Sequence, residues 1–229
     1  MQFSMIFEGQ LAYPTRANEQ QVMRDIVDQA VLAEAMGFDR VWAVEHHCLE
    51  QFAHISAPEI LLSYIAAKTS RIRIGHGVVC VPFKYNHPIR VAERLAMMDI
   101  VSGGRVDFGA GRGATPQELN AFDIDAADTQ PQLVESLHGD GSDEVLRRRG
   151  EAVVAYLHQE KIEAGTELTG MFNPNHAYGA VDEAIAYVER LVDAGADEVM
   201  FLMQMGTVPQ DAILESITNL GREVLPRFR

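Results

Sequence analysis

Four short apolar runs, separated by helix-length amphipathic segments, fill the first half of the sequence, and this alternation leaves few folds open. Residues 3–7, 40–44, 72–79 and 106–110 each have the length and the β-branched or aromatic content of a buried strand. They recur at intervals of roughly 30 residues, room for one helix and two loops, as in right-handed βα units that lay parallel strands side by side. Asn18 with Gln21 three residues later forms a helix N-cap box ahead of Val22, Ile26, Ala30 and Ala33. Gly37 stops that helix, because a residue without Cβ adopts a left-handed conformation freely. Ser56 and Glu59 make a second box ahead of Ile60, Leu61, Ile65 and Ala66. A third helix carries Val91, Leu95 and Met98 and stops at Ser102-Gly103-Gly104. The simplest arrangement is the first half of a (β/α)8 barrel, an α/β fold of TIM-barrel type.

The order falters after the fourth strand. Residues 115–178 offer helical segments at 133–137 and 145–157 but no buried strand, and the polar, Gly-rich 138–143 reads as loop or linker. Regular order returns with a helix through Val181, Ile185, Val188 and Val192, a stop at Gly195, a strand at 199–203 and a last helix over 209–224. Five strands make the barrel incomplete relative to (β/α)8. The chain reads as one domain: four βα units over 1–125, a shortened irregular or helical connection over 126–178, and the last βα unit over 179–229.

Charge narrows the partners. Thirty-three acidic against nineteen basic residues give a formal charge of −14, a field that repels nucleic acid and anionic lipid. No apolar stretch approaches the roughly 20 residues that span a bilayer, and no basic segment opens an export signal, so the expected location is the cytoplasm. Cys48 and Cys80 have no CxxC or Cys/His spacing, which fits a reducing compartment, and Cys48 reads as a small buried filler. Arg147, Arg148 and Arg149 read as a solvated helix face. Met97, Met98, Met200, Met203 and Met205 read as core or pocket lining.

Chemistry concentrates where strands end. Glu45-His46-His47 follows the second strand, and the C-terminal ends of parallel strands are the functional address of α/β folds. An imidazole with an ordinary pKa near ~6.5 moves protons at neutral pH, although two histidines packed at a barrel mouth would look the same in sequence. Neighbouring histidines diverge along a strand and no spacing supplies a third ligand, so no metal site is expected. Gly111-Arg112-Gly113 follows the fourth strand, where flanking glycines let backbone N–H groups approach an anion and where a solvated turn arginine is the plainer reading. No GxGxxG follows a strand, so a Rossmann mode of NAD(P)H binding is not expected.

Several segments together resemble the bacterial luciferase-like flavin-dependent monooxygenases. Residues 37–47 (GFDRVWAVEHH) resemble the family's β2 region. The runs 75–79 (GHGVV), 86–94 (NHPIRVAER) and 102–113 (SGGRVDFGAGRG) resemble its third and fourth βα units, and 194–200 with 226–229 its C-terminus. The likeness covers about residues 1–125 and 178–229. It implies reduced FMN from a separate flavin reductase, with a deazaflavin as the variant within the family, and O2 acting on a small-molecule substrate. It implies that His46 handles a proton beside the flavin, with Glu45 orienting it. Gly111, Arg112 and Gly113 would meet the flavin's phosphate and pyrimidine side, and Gly77-Val78 would hold the place of a non-prolyl cis peptide against the ring. It also implies a homodimer through helices 58–69 and 88–100. The departure from the family lies between the fourth strand and the last βα unit, where most of the β5–β7 region, including the strand whose loop holds the flavin phosphate, is not found. Two alternatives to an oxygenase follow from that shortening: a non-catalytic flavin-binding protein, and a partner subunit of a full-length relative.

Overall fold

The computed structural model describes residues 1–138 and 179–229. Five strands, β1 (Gln2–Phe7), β2 (Arg40–Ala43), β3 (Arg73–Cys80), β4 (Val106–Gly111) and β5 (Glu198–Phe201), form one sheet in the order β4-β3-β2-β1-β5. Every pairing is parallel, so each connection must cross over the sheet, and the helices that do so supply the outer layer. The structure is an α/β fold with an incomplete TIM-barrel-like sheet, as the sequence predicts. Segments 145–157, 147–149 and most of 138–143, for which helix, solvated face and linker are expected, lie outside the described residues.

Side-chain alternation divides the sheet into two faces. Met5, Val41 and Ile74 stand in register on one side, as do Phe7, Ala43 and His76. The apolar members of that face join Ile26, Ala30, Leu62, Ile65, Val188, Ile213 and Ile217 in one buried core. These residues come from α1 (Arg16–Ala35), α2 (Pro58–Lys68), α6 (Val181–Asp193) and α7 (Gln210–Asn219). Each fully buried side chain of this size is worth about 1.5–3 kcal/mol, and the core lies between sheet and helices. The opposite, inner face carries Ser4, Ile6, Trp42, Gly75 and Asp107. At its floor Arg40 bridges Asp107 (3.2 Å) and Glu198 (2.5 Å), and Arg73 pairs with Asp107 at 2.7 Å. These contacts tie β2, β3, β4 and β5 together below the mouth.

Two predicted caps are corrected. Helix α1 starts three residues early, with Thr15 as N-cap accepting from the Asn18 N–H at 3.2 Å. Helix α2 is opened by Pro58 after Ala57 with no side-chain cap, and Glu59 is committed to an ion pair with Arg94 instead. Helix α3 (Pro88–Ser102) ends as expected, on Gly103 in the left-handed conformation. After β4 come two helices, α4 (Pro116–Ala121) and α5 (Thr129–His138). The last predicted helix is α7 followed by a π turn at Leu220–Val224.

Candidate functional site

The parallel sheet brings the loops after β2, β3 and β4 to one rim, and there two histidine–carboxylate pairs form. Glu45 is buried: its Oε2 accepts the Cys80 N–H at 2.9 Å, and its Oε1 accepts Asn86 Nδ2 at 2.8 Å and faces His47 Nε2 at 3.1 Å. Glu118, on α4 and 2% exposed, lies 3.2 Å from His46 Nδ1 and accepts the His47 backbone N–H at 2.7 Å. The expected pairing of Glu45 with His46 is therefore corrected: Glu45 holds His47, and Glu118 holds His46. A carboxylate only accepts, so the network puts a proton on His46 Nδ1 and on His47 Nε2, leaving His46 Nε2 and His47 Nδ1 as the ring atoms able to receive one.

Aromatic side chains wall the pairs. His47 stacks on Tyr85 with 5.7 Å between centroids and meets Phe122 edge-on at 4.9 Å, while His46 meets Phe52 edge-on at 5.7 Å. Burial pushes the Cys80 thiol up to about 12, aided by the Glu45 and Glu118 carboxylates. Burial, together with Cys80, Glu118 and Glu45, also holds the Tyr85 phenol above its ordinary value. Neither group ionises readily, so proton transfer falls to the imidazoles. Cys48 is exposed with φ 58°, not the buried filler expected.

The other predicted positions line the same mouth. The Gly77–Val78 peptide is cis. Gly75 and Gly77 leave the inner face bare beside Trp42: a Cβ would lie 2.3 Å from Trp42 Cε3 at Gly75 and 3.3 Å from Trp42 Cβ at Gly77. Gly111 packs against Val78, where a Cβ would meet Cγ2 at 2.1 Å, and Gly113, at φ +66°, lies against Tyr85. Arg112 makes a long contact, 3.4 Å from Nη1 to Thr129 Oγ1. The indole N–H of Trp42 and the hydroxyl of Tyr85 are buried without a hydrogen-bond partner among the described residues. A bare peptide face, two donors without acceptors and a weakly engaged guanidinium fit a planar ring rich in carbonyl acceptors with an anionic tail. Among the described residues no further strand follows β4 to complete a phosphate site.

Sequence reasoning missed Glu118, Asn86, Tyr85 and Phe122. Glu118 carries one usable signal, its place directly after the Gly-Arg-Gly turn at the C-terminal end of β4.

Fold and site together define an α/β barrel-type protein whose chemistry stands on the loops after β2, β3 and β4. The family model described as luciferase-like monooxygenase matches residues 1–139, and the chain belongs to that family. It is 39% identical over 104 residues to 4-hydroxyprotoasukamycin monooxygenase of Streptomyces nodosus subsp. asukaensis, covering 45% of this chain and 27% of the relative. It is 30% identical over 112 residues to the alkanal monooxygenase alpha chain of Photorhabdus laumondii subsp. laumondii, covering 49% of this chain and 30% of that one. The match thus spans about a third or less of these two relatives. Among solved structures, the oxygenating constituent of 3,6-diketocamphane monooxygenase from Pseudomonas putida, in complex with FMN, superposes with a TM-score of 0.54 at 26% identity, over 60% of this chain and 37% of that one. Monooxygenase RslO1 from Streptomyces bottropensis shares the fold over the whole of both chains, with a TM-score of 0.79 at 18% identity. No helix among the described residues is long and apolar enough to cross a membrane.

Proposed function

We propose that the protein is a flavin-dependent monooxygenase that takes reduced FMN from a separate reductase and uses O2 on a small organic substrate. The observation that carries this reading is the pair of histidine–carboxylate couples, His46–Glu118 and His47–Glu45, beside a bare inner face with unsatisfied donors. Bound reduced FMN would supply the two electrons that activate oxygen. The ring would rest on Gly77 and Val78 near Trp42, with Gly111, Arg112 and Gly113 toward its pyrimidine and phosphate side. His46 takes up and returns a proton at Nε2, while Glu118 fixes its tautomer from the opposite nitrogen. Phe52, Tyr85 and Phe122 limit water at the imidazoles.

A second reading, a flavin-binding protein without turnover or a partner subunit of a longer relative, is favoured by one fact: the family match ends at residue 139. Titration with oxidised FMN, followed by mixing with reduced FMN and O2, separates the readings. The oxygenase predicts saturable binding and hydrogen peroxide release slower than from free flavin. Binding with peroxide released at the protein-free rate leaves the flavin carrier, and no binding of FMN or a deazaflavin removes both.

A further inference from the structure

A buried polar relay leads away from the mouth toward the outer helices. Asn86 Nδ2 donates to Glu45 Oε1 and, with its second hydrogen, to the Cys80 carbonyl at 2.9 Å. Its Oδ1 accepts Arg94 Nη2 at 2.6 Å. Arg94, on α3, is itself held by Glu59 of α2 through Nη1 at 2.5 Å. The Asn86 amide can face only one way here. Reversed, its oxygen would oppose a carboxylate and a carbonyl, and its NH2 would oppose a guanidinium, so every contact would become repulsive. Arg94 therefore sets the amide, the amide sets Glu45 Oε1, and that oxygen receives His47 Nε2–H.

We propose that Arg94, two helices away from the mouth in the outer layer, is a positioning residue that fixes the tautomer and ring orientation of His47 through Asn86 and Glu45. The relay spans the loop after β2, the loop after β3, α3 and α2, four segments that sequence distance keeps apart. A small enclosed cavity lined by Glu45, Glu59, His76 and Arg94 sits against it, so the charged groups share one secluded environment. In such surroundings hydrogen bonds are stronger and an unmade one costs more, which lets a change at one end be felt at the other. The consequence for turnover rests on the flavin reading above; the consequence for His47 does not.

The test uses flavin-free protein labelled with 15N at histidine, with the His47 ring signals assigned from His47→Gln. Wild type is expected to show the Nε2–H tautomer. In Arg94→Gln both ring nitrogens should move toward values averaged between tautomers. Arg94→Lys, which keeps a cationic donor for Asn86 Oδ1, should restore part of the shift, and Glu59→Gln should give a smaller move in the direction of Arg94→Gln. With reduced FMN and O2, Arg94→Gln should lower the turnover rate about ten-fold, and adding it to Glu45→Gln should have little further effect. Unchanged His47 signals in folded Arg94→Gln overturn the proposal; should that variant not fold, unchanged signals in both Arg94→Lys and Glu59→Gln do the same. Shifted signals in a protein without flavin chemistry uphold the relay and overturn the oxygenase.

Discussion

His76 shows how one side chain can be fixed by its strand yet invisible in its chemistry. The alternation of β3 turns it outward under α2 and α3, 3% exposed, and its Nδ1 has no hydrogen-bond partner. Burial lowers its pKa below 6.5, against the opposing pull of Glu59 from α2 and Glu45 after β2, while Arg94 from α3 reinforces it. The unfolded chain binds a proton near pH 6.5 that the native state refuses, so stability is complete above that pH and falls below it, until the lowered native pKa is reached. The slope for one site is at most about 1.4 kcal/mol per pH unit. Urea unfolding at pH 7.5 and 5.5 should therefore show a larger loss on acidification for wild type than for His76→Leu; parallel losses would remove His76 as the cause. Residue-scale chemistry was only half legible in the sequence. His46, His47 and Glu45 were found because they adjoin a strand end, but their partnering was not, since Glu118 lies 72 residues from His46 and only the parallel sheet brings the loops together.

Elements were easier to read than their ends. Strand cores and helical stripes are repeated signals, whereas a cap is a contest among neighbouring polar residues: Thr15 and Asn18 both qualify, and the first turn, not the side chain, decides. Close packing between elements is also silent in sequence, and Gly221 illustrates it. It sits in the π turn after α7, where a Cβ would lie 2.4 Å from Met36 Cβ and 2.6 Å from Met36 O at the end of α1. Helix propensity alone says that replacing this glycine with alanine stabilises by about 1 kcal/mol. The contact says the reverse, because part of the obstruction is backbone that cannot swing aside, and overpacking of this kind costs about 1–3 kcal/mol. Chemical denaturation of Gly221→Ala is expected to show a loss of that size; a gain would mean that α1 and α7 yield without cost.

At the scale of the whole molecule, the outer layer is unevenly covered. The core beneath α2 and α3 is closed by Leu62, Ile65, Val91 and Met98, yet the outward sides of the same helices expose Ile60 (70%), Tyr64 (54%), Met97 (61%) and Ile100 (76%). Ile60 and Tyr64 are one turn apart, as are Met97 and Ile100, so each pair forms part of a stripe along its helix. Contiguous apolar stripes on adjacent helices mark an association surface more often than scattered exposed residues do. A second copy related by a two-fold axis would bury both stripes against their counterparts, since one patch serves both sides of such an interface. The formal charge of −14 opposes nonspecific self-association, so the dimer must draw on this apolar area. The homodimer predicted through 58–69 and 88–100 is thus argued from what the fold leaves uncovered. Light scattering at micromolar concentration should give twice the chain mass of 25.4 kDa, and Ile60→Glu combined with Ile100→Glu should give a folded monomer. A monomeric wild type refutes the dimer, and a double variant that remains dimeric refutes this face as its interface.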